Sequence, residues 1–263
     1  MCIRDRIITV CGDTVLRTDR QQIETIIGTV VDDGEPVAFS SSQTETVLVS
    51  GGRVYLVLLD EVIDFTDNIA SAGASGDIID VAVINSQHLY LEENSGRVFF
   101  SEPGDARTVT QFFTAEENPD NGRALLVVNS SILVLGSNTT ELFTSTTSDI
   151  TPFIRRNGNT LQVGVTNSKS RYELQGIAYW VGEDDVIYRW SGGREEIISP
   201  TWMNRALARL NEEARAAIYM NVHTWYEHRF MSVFIPGAGD YFYDQVTGAW
   251  HRRKSNSDAL DAQ

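Results

Sequence analysis

One complete β-unit lies between Ala124 and Gly164 and limits what this chain can fold into. Two short apolar runs, Leu125 to Val128 and Ile132 to Leu135, flank an Asn-Ser-Ser turn. A third run, Thr140 to Thr146, alternates two kinds of side chain, as a strand with two different faces does. The rest, Thr147 to Thr160, has a loop composition. A sheet this small cannot bury both of its faces alone, so it needs neighbours to pack against.

The same order of parts recurs along the chain with different residues. Apolar β-rich runs separated by turn residues begin at Thr46, Val81, Ala124, Tyr172 and Ile218. The first turns of the middle units fall near positions 51, 85, 129 and 175, a spacing of about 34 to 46 residues. We therefore predict an all-β fold, a β-propeller-like array of short antiparallel blades with about five units. A β-sandwich or a stack of hairpins with accidental spacing is the alternative.

The chain ends suggest how this domain is bounded. The segment 1–6, MCIRDR, is unlike the rest of the chain, and we interpret it as non-native. We assign residues 7–254 to a single β-propeller-like domain, truncated at its N-terminus and therefore an incomplete propeller fragment, and residues 255–263 to a polar C-terminal end.

One stretch has helical spacing. Between Ser199 and Ala217, Ser199 is placed as an N-cap and Pro200 at the first helical position, which predicts one short α-helix near 200–216. Its apolar face comprises Trp202, Ala206, Leu207, Leu210 and Ala214. Packing on the β-body is the simpler use of this helix. The alternative is a partner-docking helix anchored by Trp202 and Met203.

Composition excludes several classes of protein. With 21 basic and 36 acidic residues the formal charge is −15, which argues against a surface that binds phosphates through Lys and Arg. The basic run from His251 to Lys254 is interpreted as a solvated end. Cys2 and Cys11 provide neither a disulfide framework nor a Cys-x-x-Cys site. No apolar run has the length of a membrane span, and no secretory signal pattern is present. An intracellular or particle-borne protein fits these features.

The sequence offers little reactive chemistry. His223 and His228 lie among aromatic residues with no third ligand placed by spacing, so we predict no metal site there. The acidic pairs Asp184-Asp185 and Asp240 with Asp244 lack the alternating oxygens of a calcium loop. No nucleophile elbow, Walker loop or dinucleotide fingerprint occurs. We therefore predict no enzyme activity and no cofactor, although a carboxylate pair for glycoside hydrolysis stays open among 36 acids.

Two turns resemble known propeller motifs. Ser101 to Asp105 is similar to the Asp-box turn of sialidase propellers, and Tyr243 to Trp250 resembles a kelch strand and turn. We interpret both as turn stabilisers, because Asp accepts backbone hydrogen bonds and Gly supplies a positive φ. The tryptophans in strand positions are expected in the core, with an interface position as the alternative: Trp180, Trp190, Trp225 and Trp250.

A collinear series of segments carries a family resemblance over roughly Arg53 to Arg253. Its members are Arg97 to Ser101, Phe113 to Asp120, Leu133 to Gly136, Thr140 to Phe143, Pro152 to Gly158, Gly164, Tyr179 to Gly182, Val186 to Arg189, Ile198-Ser199, Tyr243-Asp244 and Gly248 to Arg253. Together they resemble the tail-hub proteins of short-tailed phages, often called packaged-DNA stabilisation proteins. Three departures are visible: family members are longer toward the N-terminus, Phe113 to Glu117 differs from the family's element, and the helix near Trp202 has no residue-by-residue match in the family.

The resemblance implies a structural virion component of the phage tail, assembled in the host cytoplasm. A homo-oligomer on the order of six copies would sit beneath the portal and its adaptor ring and extend toward the tail needle and tailspikes. It would close the portal channel as a head-tail connector and retain packaged DNA, with no sequence-specific nucleic-acid binding and no membrane contact. The predicted partner-interface residues are Trp202, Met203, Arg155 and Arg156. An acidic channel wall would let DNA slide past without adhering.

Two other functions stay open. A sialidase-like glycosidase would need arginines and carboxylates clustered at one mouth of the propeller. A carbohydrate- or receptor-binding propeller module would need exposed Trp and Tyr side chains lining a groove.

Overall fold

The described residues form six four-stranded antiparallel sheets, and in each sheet the strands pair in sequence order. The structure, a computed structural model, describes residues 2–3, 6–115, 120–148, 152–156, 158, 160–225 and 227–253, without the side chains of residues 2 and 3. The fold is a six-bladed β-propeller. The all-β propeller prediction is confirmed, whereas the expectation of an incomplete array with about five units is wrong. The predicted polar end, 255–263, lies outside the described residues.

The first three blades are formed by the following strands. Blade 1 contains β1 (Cys2–Ile3), β2 (Arg6–Cys11), β3 (Thr14–Thr18) and β4 (Glu24–Thr29). Blade 2 contains β5 (Ala38–Ser41), β6 (Thr46–Ser50), β7 (Arg53–Val57) and β8 (Val62–Asp64). Blade 3 contains β9 (Ile78–Ile84), β10 (Gln87–Glu92), β11 (Arg97–Glu102) and β12 (Asp105–Thr114).

The second half repeats the arrangement. Blade 4 contains β13 (Gly122–Val128), β14 (Ser131–Gly136), β15 (Thr140–Ser145) and β16 (Phe153–Arg155). Blade 5 contains β17 (Arg171–Leu174), β18 (Ile177–Val181), β19 (Ile187–Trp190) and β20 (Glu196–Ile197). Blade 6 contains β21 (Tyr219–Trp225), β22 (His228–Ile235), β23 (Gly239–Asp244) and β24 (Trp250–Arg252).

Tight turns with positive φ explain where the strands reverse. Asn85-Ser86 and Gln175-Gly176 have both central residues at positive φ, which matches the twist of two-residue hairpins. Each joins the first and second strands of its blade. Gly51-Gly52 has the same conformation but joins the second and third strands of blade 2. The spacing from the turn at 51 to the turn at 85 is therefore shorter than the later spacings. The turns at 85, 129 and 175 join the first and second strands of a blade, whereas the turn at 51 joins the second and third.

Apolar side chains bury each blade against the next. We call the face of a blade that is turned toward the preceding blade its first face, and the opposite face its second face. Between blades 3 and 4, for example, Leu89 and Val98 on the second face of blade 3 lie in one buried cluster with Ile132 and Val134 on the first face of blade 4. Five such clusters join blades 1 to 2, 2 to 3, 3 to 4, 4 to 5 and 5 to 6. The hydrophobic core is therefore a series of seams between blades.

Short helices lie in the connections between blades. Helix α1 (Thr66–Ser71) has no counterpart in the sequence prediction and buries Ile69 between blades 2 and 3. The single helix predicted near 200–216 is two short helices, α2 (Thr201–Leu207) and α3 (Glu212–Ala216).

Capping explains why the predicted helix is divided. Helix α2 follows Pro200, while the Ser199 hydroxyl accepts a hydrogen bond from the Ile187 amide, 2.9 Å away, and does not cap the helix. Asn211 caps α3 by accepting from the Ala214 amide at 2.9 Å. This second cap separates the two helices, a break that helical spacing alone does not indicate.

The tryptophans divide into three groups. Trp180 and Trp190 are fully buried between blades 4 and 5, as predicted. Trp250 is partly buried against the seam between blades 5 and 6 and donates its indole N–H to the Ile198 carbonyl at 2.8 Å. Trp225 is 70% exposed, so its predicted core position is wrong. It lies at the end of β21 on a sheet face that no neighbouring blade covers among the described residues.

A buried histidine lies at the seam between blades 2 and 3. His88 is fully buried, and its Nδ1 lies 3.3 Å from the Ser40 hydroxyl oxygen. Burial lowers the pKa of His88 from 6.5 to about 4, because the imidazolium would lose its hydration. The side chain is therefore neutral in the folded protein at physiological pH.

We expect Trp180→Ala to lower the free energy of unfolding by about 3–5 kcal/mol, because it leaves a large cavity in the seam between blades 4 and 5. Val246→Ala, at a 70% exposed turn position, is the control and should change stability by less than about 0.5 kcal/mol. Chemical denaturation followed by tryptophan fluorescence and circular dichroism measures both. Equal, small effects would contradict a core made of seams.

The lowered pKa of His88 predicts a pH dependence of stability. Since the folded pKa is about 4 and the unfolded value 6.5, the unfolded chain binds a proton that the folded chain does not, and stability falls as pH falls through this window. Between pH 6.5 and 5 the free energy of unfolding of the unchanged protein should fall with pH by up to about 1.4 kcal/mol per pH unit on account of His88. His88→Asn should remove this contribution to the slope. The exposed His223→Asn is the matched control. An unchanged slope in His88→Asn would contradict the assignment.

Candidate interaction surfaces

A buried ion pair ties three blades together beside the propeller axis. Asp80, on the first strand of blade 3, is fully buried, and both of its carboxylate oxygens accept from Nη2 of Arg171 on the first strand of blade 5, at 2.6 and 2.5 Å. The same carboxylate accepts from the Leu125 amide of blade 4 at 2.7 Å. The inner strands of blades 3, 4 and 5 are therefore held to one another by a single side chain.

A second ionic contact reaches across to the first half of the chain. Lys169, just before β17, forms an ion pair with Glu35 in the segment between blades 1 and 2. Its backbone carbonyl accepts from the Met220 amide of blade 6 at 2.9 Å. Burial lowers the pKa of Lys169, while the nearby charge of Asp33 acts in the opposite direction. Charged groups thus bridge distant blades at the inner ends of the sheets.

A polar cavity of about 370 Å³ opens at one mouth of the propeller, beside blades 3, 4 and 5. It is lined by Ile79, Glu93, Asn94, Asn121, Gly122, Arg123, Ser137, Thr166, Asn167 and Ser168. Arg123 donates to the carbonyls of Val165 and Thr166 at 3.0 Å each and to the Glu183 carboxylate at 2.8 Å. Among these lining residues Glu93 is the one carboxylate, so the cavity does not contain the carboxylate pair of a glycosidase.

The two predicted interface arginines lie at the outer edge of blade 4. Arg155 is half-buried on β16 and forms an ion pair with the buried Glu141 at 3.1 Å. Arg156 donates its backbone N–H to the Leu142 carbonyl at 2.8 Å. Both side chains are partly accessible, and their interface role stays a prediction.

The two predicted helix anchors are placed differently from each other. Trp202 is 48% exposed, and its ring lies 5.1 Å from that of Tyr241. Met203 is fully buried in the seam between blades 5 and 6 with Leu207. Met203 therefore holds α2 on the β-body and presents no side chain to a partner, whereas Trp202 is accessible to one. The buried face of α2 therefore contains Met203 and Leu207, and not Trp202 as the helical spacing predicts.

The second face of blade 6 is an aromatic surface that sequence reasoning missed. Its aromatic rings pack on one another. The ring centroids of Tyr219 and Phe234 are 5.1 Å apart, those of His223 and Phe242 5.3 Å, and those of Phe230 and Phe242 6.1 Å. None of these side chains belongs to a buried cluster among the residues described. The alternation of aromatic residues along β21 and β22 could have revealed this face, since the opposite alternation forms the seam with blade 5.

In the part of the chain that the structure describes, no blade covers the first face of blade 1 either. Ile7 is 51% exposed and Ile26 is 65% exposed, and Leu16, which pairs with Ile26 across the sheet, is half-buried. The opposite face of the same sheet carries Ile8 and Val15 into the seam with blade 2. Blades 1 and 6 thus each have one face of the kind that the other blades bury.

The motif-like turns act as turn stabilisers. Asp244 accepts from the Val246 amide and the Thr247 hydroxyl at 2.9 Å each, and Gly248 has a φ of +69°. Asp105 accepts from the Arg107 amide at 3.1 Å after Gly104, whose φ is +77°. Both carboxylates therefore accept hydrogen bonds from residues of their own turns.

The residues considered for metal binding are dispersed or paired. His228 Nδ1 lies 2.8 Å from the Asp244 carboxylate, while His223 stands among aromatic rings on the uncovered face of blade 6. Asp184 accepts from the Tyr188 hydroxyl at 2.6 Å, and Asp185 forms an ion pair with Arg215. In the described part of the chain, no three His, Cys, Asp or Glu side chains converge as a metal site. The described helices also include none with the length and apolar character of a membrane span.

Comparison with known proteins gives one family match. Residues 4–257 match the model of the phage stabilisation family described as "Bacteriophage P22 Gp10, beta-propeller". A search of curated proteins finds no match.

Solved structures with a similar fold are remote in sequence. The WD40 β-propeller domain of Doa1 superposes with a TM-score of 0.57 at 10% identity, covering 95% of this chain and 78% of that one. Virginiamycin B lyase from Staphylococcus aureus gives 0.56 at 8% identity, covering 88% and 75%. The propeller domain of Myceliophteria thermophila Cps50 (Swd1) gives 0.57 at 10% identity, covering 94% and 82%. At these identities the likeness shows the propeller fold alone.

We expect Asp80→Asn to lower the free energy of unfolding by about 3–5 kcal/mol, because it leaves the Arg171 guanidinium partly buried without its counter-charge. The control is Glu196→Gln, which breaks the exposed Arg189–Glu196 pair and should cost less than about 1 kcal/mol. Denaturation curves for both variants provide the comparison. A cost for Asp80→Asn no larger than that of the control would show that the axial ion pair does not hold the blades.

Proposed function

This chain belongs to the phage stabilisation family of Bacteriophage P22 Gp10 β-propellers, and from that membership we propose that it is a tail hub that closes the portal channel and retains packaged DNA. Membership in the family indicates a phage structural protein. The finer role, a head-tail connector in the virion tail, is our proposal. The family match over residues 4–257 is the observation that carries it.

The geometry supports a structural role through its surfaces. The mouth cavity contains a carboxylate and an arginine, but that arginine is already held by two carbonyls and Glu183. Accessible apolar groups lie on sheet faces of blades 1 and 6 and on α2, and also on blades 3, 4 and 5, among them Phe112, Ile154 and Ile197, so broad contacts with other proteins are possible at several places. A protein that acts by contact and blockage needs such faces and no reactive pocket.

The partners proposed here are the portal or adaptor ring, the tail needle, the tailspikes and further copies of this chain. Trp202 is the accessible member of the helix pair, and Arg155 and Arg156 lie at the outer edge of blade 4, so these three remain the proposed contact residues. The charge of −15 supports a wall that does not adhere to DNA phosphates.

A carbohydrate- or receptor-binding module is a second candidate, because exposed aromatic side chains are present. Trp225 and Tyr219 are exposed on blade 6, and aromatic rings stack on sugars at many glycan sites. These rings lie on a sheet face, however, and the polar cavity has no aromatic side chain among its lining residues. A glycan array probed with the purified chain separates the two functions, since the tail-hub function predicts no glycan binding.

The tail-hub function predicts two results with phage particles that encode this chain. Antibodies against the chain should label the tail vertex in electron micrographs. Particles assembled without it should lose their DNA, measured as packaged DNA that becomes accessible to nuclease after purification. Particles lacking only the tailspike, with this chain present, are the control and should keep their DNA. Full retention of DNA in particles without this chain would contradict the proposal.

A further inference from the structure

The polar cavity at the mouth of the propeller has the dimensions of a ligand site. Its walls are the turn between β10 and β11, the start of β13, the turn between β14 and β15, and the segment 166–168 before β17. Its volume of about 370 Å³ lies within the range of about 300–1,000 Å³ that ligand pockets occupy. The cavity is therefore large enough for a small organic molecule or for one long side chain of another protein.

Hydrogen bonds hold the walls of the cavity in place. The Asp120 carboxylate accepts from the three successive amides of residues 137–139, at 2.8, 2.8 and 2.7 Å. The Asn167 side chain accepts from the amides of residues 169 and 170 at 2.8 Å each and donates to the Arg215 carbonyl at 2.7 Å. Because these groups already fix the walls, binding of a ligand would require little further ordering of the protein.

Four polar side chains that line the cavity make no hydrogen bond to any other described residue: Glu93, Asn94, Asn121 and Ser168. The other lining hydroxyls are engaged, since Ser137 donates to the Asp120 carboxylate and Thr166 donates to the Gly182 carbonyl. One carboxylate, two amides and one hydroxyl from three separate segments thus converge on the same space. A few convergent polar groups of this kind are what orients a ligand in a pocket.

The cations beside the cavity each have a counter-charge. Arg123 is the one cationic side chain among the lining residues, and the Glu183 carboxylate lies 2.8 Å from its guanidinium. Lys169, which follows the lining residue at position 168, is paired with Glu35. Neither cation therefore leaves a net positive charge at the cavity.

Two carboxylates beside the cavity have no cationic partner among the described residues. Glu93 lines the cavity itself, and Asp120 lies behind the lining residue Ser137. Burial raises the pKa of Asp120, but hydrogen bonds from residues 137–139 outweigh this effect and lower it, so the side chain is ionised at neutral pH. The local charge therefore favours a cationic ligand.

We propose that this cavity binds an organic ammonium group carried on a flexible chain, with Glu93 as its ion-pair partner and the amide oxygens of Asn94 and Asn121 as further acceptors. An ammonium group has three donors and no acceptor, which matches these oxygens. It can come from a lysine side chain in an extended segment of another protein or from a free polyamine. The inference does not depend on the tail-hub function.

Isothermal titration calorimetry of the purified chain with small probes tests the proposal. Putrescine and Nα-acetyl-lysine methylamide should bind with dissociation constants on the order of 0.1–1 mM, and binding should weaken as ionic strength rises. Butanediol, which has a hydroxyl in place of each ammonium group of putrescine, should bind at least about tenfold more weakly, and so should methyl glucoside.

Three variants locate the bound amine. Glu93→Gln should weaken putrescine binding about fivefold or more, because it removes the charge and keeps the shape of the side chain. Asn121→Asp should tighten binding about threefold or more, because it adds a second carboxylate. The matched control is Glu61→Gln in the turn between β7 and β8, which lies at the opposite mouth because it joins the third and fourth strands of its blade. It removes the same charge and should change binding less than about twofold.

Circular dichroism checks that all three variants are folded, as expected for exposed positions. The two amine probes identify the source of the ammonium group. Tighter binding of the lysine amide indicates a side chain of another protein, tighter binding of putrescine indicates a free polyamine, and either result supports an ammonium site.

Three outcomes would overturn the proposal. Neither amine binds at concentrations up to about 10 mM. Butanediol or methyl glucoside binds as tightly as putrescine, which would indicate a site for hydroxyl compounds. Glu93→Gln binds putrescine as the unchanged chain does, or Glu61→Gln weakens binding equally, which would place the bound amine elsewhere on the acidic surface. None of these results bears on DNA retention, so the tail-hub function stands or fails separately.

Discussion

Packing of one blade on the next is the interaction on which the rest of this structure depends. A four-stranded sheet of five- or six-residue strands has two faces and too little area on either to be stable alone. The buried side chains lie almost entirely in the five seams, and the largest of them, Trp180 and Trp190, fill the seam between blades 4 and 5. The axial ion pair of Asp80 and Arg171 adds a tie that runs across blade 4, from blade 3 to blade 5.

Much of the fold can be predicted because its signals are local. Turn residues with positive φ, such as Asn85 and Gly176, mark strand reversals in the sequence itself, and alternation of side chains marks the strands. The five units recognised in the sequence are blades 2 to 6, and the spacing between the first two is short because the turn at Gly51-Gly52 joins a different pair of strands from the turn at Asn85. The faint β-rich runs before position 32 form a complete blade only once β1 is paired with β2.

The candidate surfaces are harder to predict, because exposure depends on what the neighbouring blade covers. The strand position of Trp225 predicts a core site, but this side chain is 70% exposed, on the face of blade 6 that no blade covers among the described residues. The place of Met203 beside Trp202 predicts a partner interface, yet the helix turns Met203 into the seam and leaves Trp202 accessible. Neither outcome is encoded in the local pattern; both depend on the order in which the blades stack. The Asp80–Arg171 pair joins residues that are 91 positions apart, which no local pattern indicates.

If stacking is what stabilises each blade, protection of the backbone should depend on the number of covered faces. Amide hydrogen exchange, read by mass spectrometry blade by blade at low protein concentration, tests this most directly. Blades 2 to 5, which are covered on both faces, should exchange more slowly than blades 1 and 6, each of which is covered on one face by the blades that the structure describes. Equal protection of all six blades would contradict this dependence, because it would mean that a blade does not need two neighbours.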